Sequence, residues 1–153
     1  LSCCSSVRDL PLFNATALGY SACCGGARKA CIMKDNIDEI FKGHRARKLI
    51  YRCIREHETY HVEDPDLTCI PSNNLGLLGS PIWNPVPSYR SECNAYKVSR
   101  DCARDNKREY CHGSEHCKKR IRKFLDGNHN AITQFCGCVL TPIDCIFEND
   151  SGE

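Results

Sequence analysis

Fourteen cysteines in a chain of 153 residues constrain this sequence more than any other feature. At about 9% of the residues they reach the density of a disulfide scaffold. In a reducing compartment that many thiols would add little stability, so the density predicts folding under oxidising conditions and a secreted or extracellular protein. Asn14-Ala15-Thr16 and Asn149-Asp150-Ser151 fit the acceptor pattern for N-glycans and agree with a glycoprotein. The chain opens at Leu1 without an initiator methionine, as a mature product does after signal removal, and any surface anchor would follow Glu153. The 21 basic residues against 19 acidic ones give a net charge of +2, too balanced for a nucleic-acid binder. No stretch of eighteen apolar residues occurs, so no transmembrane segment is expected.

The cysteines divide evenly about a change in composition. Cys3, Cys4, Cys23, Cys24, Cys31, Cys53 and Cys69 precede it, and Cys93, Cys102, Cys111, Cys117, Cys136, Cys138 and Cys145 follow. Between Asp66 and Arg90 there is no charged residue, and four prolines with two glycines mark residues 70–91 as a linker or extended loop. The chain therefore reads as a first Cys-rich module at 1–69, a linker at 70–91 and a second module at 92–147. All fourteen cysteines are read as disulfide-bonded. Seven per half is odd, so either one bridge joins the halves or each keeps a free or intermolecular thiol, and the spacing leaves this open.

Within each half the hydrophobic period is helical. Cys117, Ile121, Phe124 and Leu125 fall at i, i+4, i+7 and i+8, with Lys118, Lys119, Arg120, Arg122 and Lys123 on the remaining face. Met33, Ile37, Ile40 and Phe41 repeat that spacing, with Asn36 and Glu39 as a cap. Ala46, Leu49, Ile50, Cys53, Ile54 and His57 form the longest stripe, and Ser91 caps a further helix through Ala95, Val98 and Cys102. Each half reads as a Cys-bounded helix, a turn at Gly43 or Gly127, and a second apolar segment ending in cysteine, which suggests two degenerate repeats. No strand-like alternation is evident. The fold class expected is all-α: small disulfide-rich helical modules whose separate cores need cross-links.

Cys93 to Cys102, Cys111-x5-Cys117, the Lys-Lys-Arg-Ile-Arg-Lys-Phe-Leu-Asp run, and Gln-Phe-Cys136-Gly-Cys138-x6-Cys145 resemble the domain shared by the GDNF-family receptor α proteins and growth-arrest-specific 1. The likeness covers residues 93–145 and reaches 24–69 weakly. It implies helical, disulfide-bonded modules that bind a secreted growth factor or morphogen and present it to a receptor. The chain departs from the pattern in lacking a cysteine pair between Cys102 and Cys111, and in having Cys53-Ile54-Arg55 where C-x-C is expected. The C-x-C-x6-C spacing also occurs in secreted phospholipases A2. Their His-Asp pair is missing from Cys23–Cys31, which removes the base and the calcium ligand.

Two chemistries compete for the function. His57-Glu58-Thr59-Tyr60-His61 is an H-E-x-x-H motif, which on a helix places two histidines one turn apart for zinc, with Glu58 as general base. A third ligand was sought among Glu63, Asp64, Asp66, His112 and His116. A polar helix end is the simpler reading, and the cysteine pair Cys136-Gly-Cys138 lacks the partner knuckle of a zinc site. His112-x3-His116 reads as a solvated turn between cysteines. The other chemistry is recognition: Arg45, Lys48, Arg52 and Arg55 form one basic stripe, and Lys119 with Arg120 belongs to a second. Guanidinium groups suit carboxylate or sulfate, and Trp83 in the uncharged linker suits an interface anchor. The expectation is a binding protein of co-receptor or ligand-trap type, not an enzyme and without a cofactor, that recognises an extracellular protein such as a growth factor or receptor, with a heparan-type glycan as a second partner. A zinc-dependent hydrolase using His57 and His61, or a secreted toxin or effector on the same scaffold, is the alternative.

Overall fold

A computed structural model describes residues 4–5, 17–24, 27–67, 75–77 and 89–140. The architecture is mostly helical, as expected, with several disulfides. Strands β1 (Gly19–Cys24) and β2 (Ala27–Ile32) are followed by helices α1 (Lys34–Ile40) and α2 (His44–Glu63); strand β3 (Leu75–Leu77) then precedes helices α3 (Tyr89–Cys111) and α4 (Glu115–Leu140). No helix among the described residues is long and apolar enough to cross a membrane.

The stripe of α2 forms the centre. Ala46, Leu49, Ile50, Cys53, Ile54 and His57 are all buried. They meet Cys102 and Ala103 of α3, and Cys117, Ile121 and Phe124 of α4, in one cluster that also holds Ile37 and Phe41. Residues from both sequence halves therefore share a core. Phe41 meets Phe124 edge-on with centroids 5.8 Å apart, a geometry that adds about 0.5–1.5 kcal/mol beyond area burial. Gly43, at φ 123°, makes the turn from α1 to α2, and a side chain there would be strained.

Disulfides fasten the same interface. Cys53–Cys102 ties α2 to α3, Cys93–Cys136 ties α3 to α4, Cys111–Cys117 closes the α3–α4 turn, and Cys4–Cys31 holds the N-terminal region to β2. The first of these joins the two halves. Cys23 is also disulfide-bonded, and no cysteine among the described residues is free. Cys3, Cys69 and Cys145 lie outside the described residues, as do the side chains of Cys24 and Cys138.

Four local expectations are corrected. A three-stranded antiparallel sheet, ordered β2-β1-β3, stands where no strand was foreseen. Its central strand buries Tyr20, Ser21, Ala22 and Cys23 in succession, so no polar alternation marks it. Asn36 lies inside α1 and donates its side-chain amide to Ala17 O at 2.8 Å, while α1 begins after Met33 without a side-chain cap. The turn expected at Gly127 does not form, because α4 runs unbroken through it. A helical glycine costs only about 1 kcal/mol relative to alanine, less than the packing of Ile121 and Phe124 and the Cys136 cross-link supply around it. Ser91 lies within α3 and serves other partners, described below.

Closing a 49-residue separation restricts the unfolded chain by about 4 kcal/mol. Replacing Cys53 and Cys102 together by alanine should lower the unfolding free energy by roughly that amount, read from urea titrations as a lower midpoint.

Candidate metal centre

The buried stripe of α2 continues past Cys53 into polar residues that are themselves buried. His57, Glu58 and His61 are 7%, 9% and 4% exposed. Since i and i+4 share a helix face, both imidazoles point toward α3, with ring centroids 5.1 Å apart. The facing residue is Glu92, in the first turn of α3. His61 Nε2 lies 3.2 Å from one Glu92 oxygen and His57 Nε2 lies 4.0 Å from the other. Ligand atoms of all three residues fall within 4.8 Å of one another. A tetrahedral zinc site with bonds of about 2.0–2.2 Å separates its ligands by roughly 3.3–3.5 Å, so small side-chain rotations complete it.

The surrounding hydrogen bonds aim this set. Ser91 Oγ donates to Asp64 Oδ2 at 2.6 Å. With its one hydrogen committed there, Ser91 Oγ accepts from His61 Nδ1 at 3.2 Å, which places a proton on Nδ1 and directs Nε2 at Glu92. Nε2 is fully buried and makes no aligned hydrogen bond, close as the Glu92 oxygen is. The two imidazole nitrogens and the Glu92 carboxylate form a donor set of the kind that holds a cation, and the Asp64–Ser91–His61 chain is the outer support that ligating histidines require.

The electrostatics differ between the two imidazoles, and His61 would have to release a proton to ligate. Burial, then repulsion from His61, lowers His57 to about 4, so it stays neutral and free to ligate. For His61 burial works downward, but Glu92, helped by Glu58 and Asp64, outweighs it and holds the group above its usual value. Glu58 is pushed up to about 7 by burial, against the opposing pull of His61 and of the Ser21 hydroxyl, which donates to its carboxylate at 2.9 Å. Glu58 Oε1 lies 3.9 Å from His57 Nε2. Gly19 lets β1 approach this helix: a Cβ there would sit 2.5 Å from Ile54 Cγ2 and 3.1 Å from Glu58 Cγ.

Tyr96, one turn beyond Glu92, packs edge-on against His57 at 4.5 Å and stacks on Phe135 at 5.7 Å. Burial, then Glu92 and Glu58, raises its phenol to about 12, so it remains a hydrogen-bond donor. A cavity of about 410 Å³ opens onto His57, Glu58 and Tyr96. Its walls are largely apolar, and the Ser99 hydroxyl that lines it is buried without a partner.

The H-E-x-x-H residues thus converge with a third group that sequence reasoning did not nominate. Of the ligands once considered, Asp64 supports through Ser91, Glu63 and Asp66 stay outside, and His112 and His116 are exposed at the Cys111–Cys117 turn. Cys136 is committed to Cys93 and is no metal ligand. The basic stripe of α2 is exposed but partly engaged: Arg52 pairs with Glu56 at 3.3 Å and reaches Asn106 and Tyr110, and Arg45 reaches Cys111 O. Lys48, Arg55 and Lys119 are exposed and Arg120 is half-buried. Trp83, Asn14 and Asn149 lie outside the described residues.

No protein-family model, no curated protein and no solved structure matches this chain. Its function has to be read from the site.

The oxidised protein should take up one zinc ion per chain, and Ser91→Ala should weaken that affinity about 10–100-fold with unchanged circular dichroism, measured by competition with a chromogenic chelator. Glu92→Gln, which keeps the shape but removes the ligand charge, should weaken it further.

Proposed function

We propose that the chain is a zinc-dependent hydrolase of extracellular type, acting on peptide bonds, with His57, His61 and Glu92 as ligands and Glu58 as general base. The observation that supports it most is the convergence of His57, His61 and Glu92, whose ligand atoms lie within 4.8 Å of one another, with His61 oriented toward Glu92 by Ser91. Zinc in such a site supplies Lewis acidity, activating water and polarising a carbonyl. The chain's own residues do the rest. Glu58, with a pKa near neutrality, takes a proton from the attacking water as its oxygen bonds to the carbonyl carbon. The same carboxyl then gives that proton to the amide nitrogen as the C–N bond breaks, and the second proton of the water passes from the new carboxylic acid to the amine, leaving a carboxylate and an ammonium. Tyr96, protonated and lining the same cavity as Glu58, donates to the oxyanion that develops. Ser21 holds Glu58 in place from β1.

This reading takes the enzymatic alternative over the expected co-receptor or ligand trap. Two of the four cations in the α2 stripe already have intramolecular partners, whereas the histidine cluster has an unmet valence. The disulfides suit an oxidising compartment and with it an extracellular place of action.

The test is hydrolysis of unfolded casein by the zinc-loaded chain, lost with a chelator and restored by zinc. Glu58→Gln should retain zinc and lose activity by at least about 10²–10⁴-fold. Equal rates for the wild type and that variant would remove the assignment. The ascending limb of the pH profile belongs to Glu58, which must be deprotonated to accept a proton. Its value of about 7 holds without a metal, and a nearby cation lowers it, so kcat/KM should rise with pH and level off by about pH 7.

A further inference from the structure

Beside the catalytic cavity lies a second concavity of opposite character. It is a surface cleft of about 670 Å³, lined by Lys42, Lys119, Arg120, Arg122 and Lys123, with Asp126 as its one carboxylate. None of the five cations makes an ion pair among the described residues. The nearby pairs involve Lys118 with Glu115 and Arg47 with Asp38 instead. The sequence places Lys119, Arg120 and Lys123 on one face of α4, and the turn at Gly43 carries Lys42 to the opposite rim, with Arg120 beside the glycine. Five cations against a single carboxylate in one concavity focus a positive potential and favour an anionic occupant.

The cleft and the cavity touch. Lys123 lines both, its ammonium 5.5 Å above the ring of Phe41, which walls the cavity from the other side. The cavity is walled by Leu18, Phe41, Ile54 and Phe124, with Ser99 and Asn128 as polar points. A ligand that enters both must therefore be apolar at the reacting position and acidic a short distance away. A sulfated glycan has nothing to fill the apolar part, and a nucleic acid would want exposed aromatic platforms among the cations, which the cleft lacks.

Building on the hydrolase reading above, we propose that the substrate is an acidic polypeptide: a large apolar side chain enters the cavity beside Glu58, and carboxylates a few residues along the chain occupy the basic cleft. The cleft raises affinity and encounter rate rather than the rate of bond breaking, because its charges lie away from the reacting atoms.

The test uses the full oxidised chain loaded with zinc and fluorogenic peptides with a tyrosine at the centre, whose phenol the Ser99 hydroxyl can partner. Tails of four Glu, four Gln or four Lys are placed on either side. For one placement the Glu-tailed peptide should exceed the Gln-tailed one at least tenfold in kcat/KM at low salt, the gain lying in KM and shrinking as salt rises. In Lys119→Glu/Arg120→Glu, with folding checked by circular dichroism, the ratio between the two tails should collapse toward one. Hydrolysis of all three tails at equal rates would overturn the acidic-substrate proposal and leave the hydrolase intact. If no peptide is cut, direct binding to Glu58→Gln decides: tighter binding of the Glu tail, lost on the charge reversals, keeps the docking surface and removes the hydrolase. In the same assay a heparin oligosaccharide or a single-stranded oligonucleotide that outcompetes the Glu-tailed peptide would overturn the choice of polypeptide.

Discussion

The contact on which the molecule depends is the face of α2 against α3. It carries the core, a cross-link between the two halves, and every residue of the candidate centre except the Ser21 support and the cavity walls. A small chain with this many polar buried groups has little apolar area to spend on rigidity. The disulfides replace that rigidity where it matters: Cys53 stands one turn before His57, and Cys93 is the neighbour of Glu92. Both ligand-bearing segments are therefore held by a covalent bond within about a turn of the ligands. A metal centre needs its ligands fixed to within a fraction of an ångström, and short helices packed by side chains alone would not provide it.

Cross-linking also explains why so polar a cluster is tolerated in the interior. Taking two imidazoles and two carboxylates out of water costs several kcal/mol per charged group unless each is neutralised or paired. Glu58 and His57 respond by moving toward their neutral forms, and Glu92 keeps a fifth of its side chain in contact with solvent. The remaining cost falls on the fold, which the covalent links restrict from opening.

Much of this was legible in the sequence, and the illegible part has a physical cause. The stripe from Ala46 to His57 reads directly as a buried helix face because period 3.6 is local information, and the density of cysteines announces cross-links for the same reason. The pair His57 and His61 is legible too, since their spacing guarantees a shared face. Glu92 is not, because it lies 31 residues beyond His61 across an uncharged segment, and only the packing of α3 on α2 brings it near. Ser91 looked like a helix cap for lack of any sequence signal that Asp64 and His61 would claim its hydroxyl. The sheet escaped because Tyr20 to Cys23 are buried on both faces, which erases the alternation that marks a half-exposed strand.

The histidine–carboxylate cluster also has a purely structural interpretation, a buried ion pair between His61 and Glu92, and the zinc titration separates the two. A structural pair is stabilising only when its hydrogen bond is well aligned and the leftover valences are filled. Here Ser91 spends its hydrogen on Asp64 and takes the Nδ1 proton of His61, an arrangement that fixes the ring, yet the fixed ring meets Glu92 at 3.2 Å without alignment. His57, 4.0 Å from the other oxygen, is too far to share a proton with it. Two imidazole nitrogens and a carboxylate oxygen thus face one another around a small volume, and Glu92 favours the protonated form of His61. A divalent cation satisfies all three lone pairs at once, where a proton satisfies one. Three donor groups from two helices, converging within 4.8 Å, are what the proposed ion site rests on.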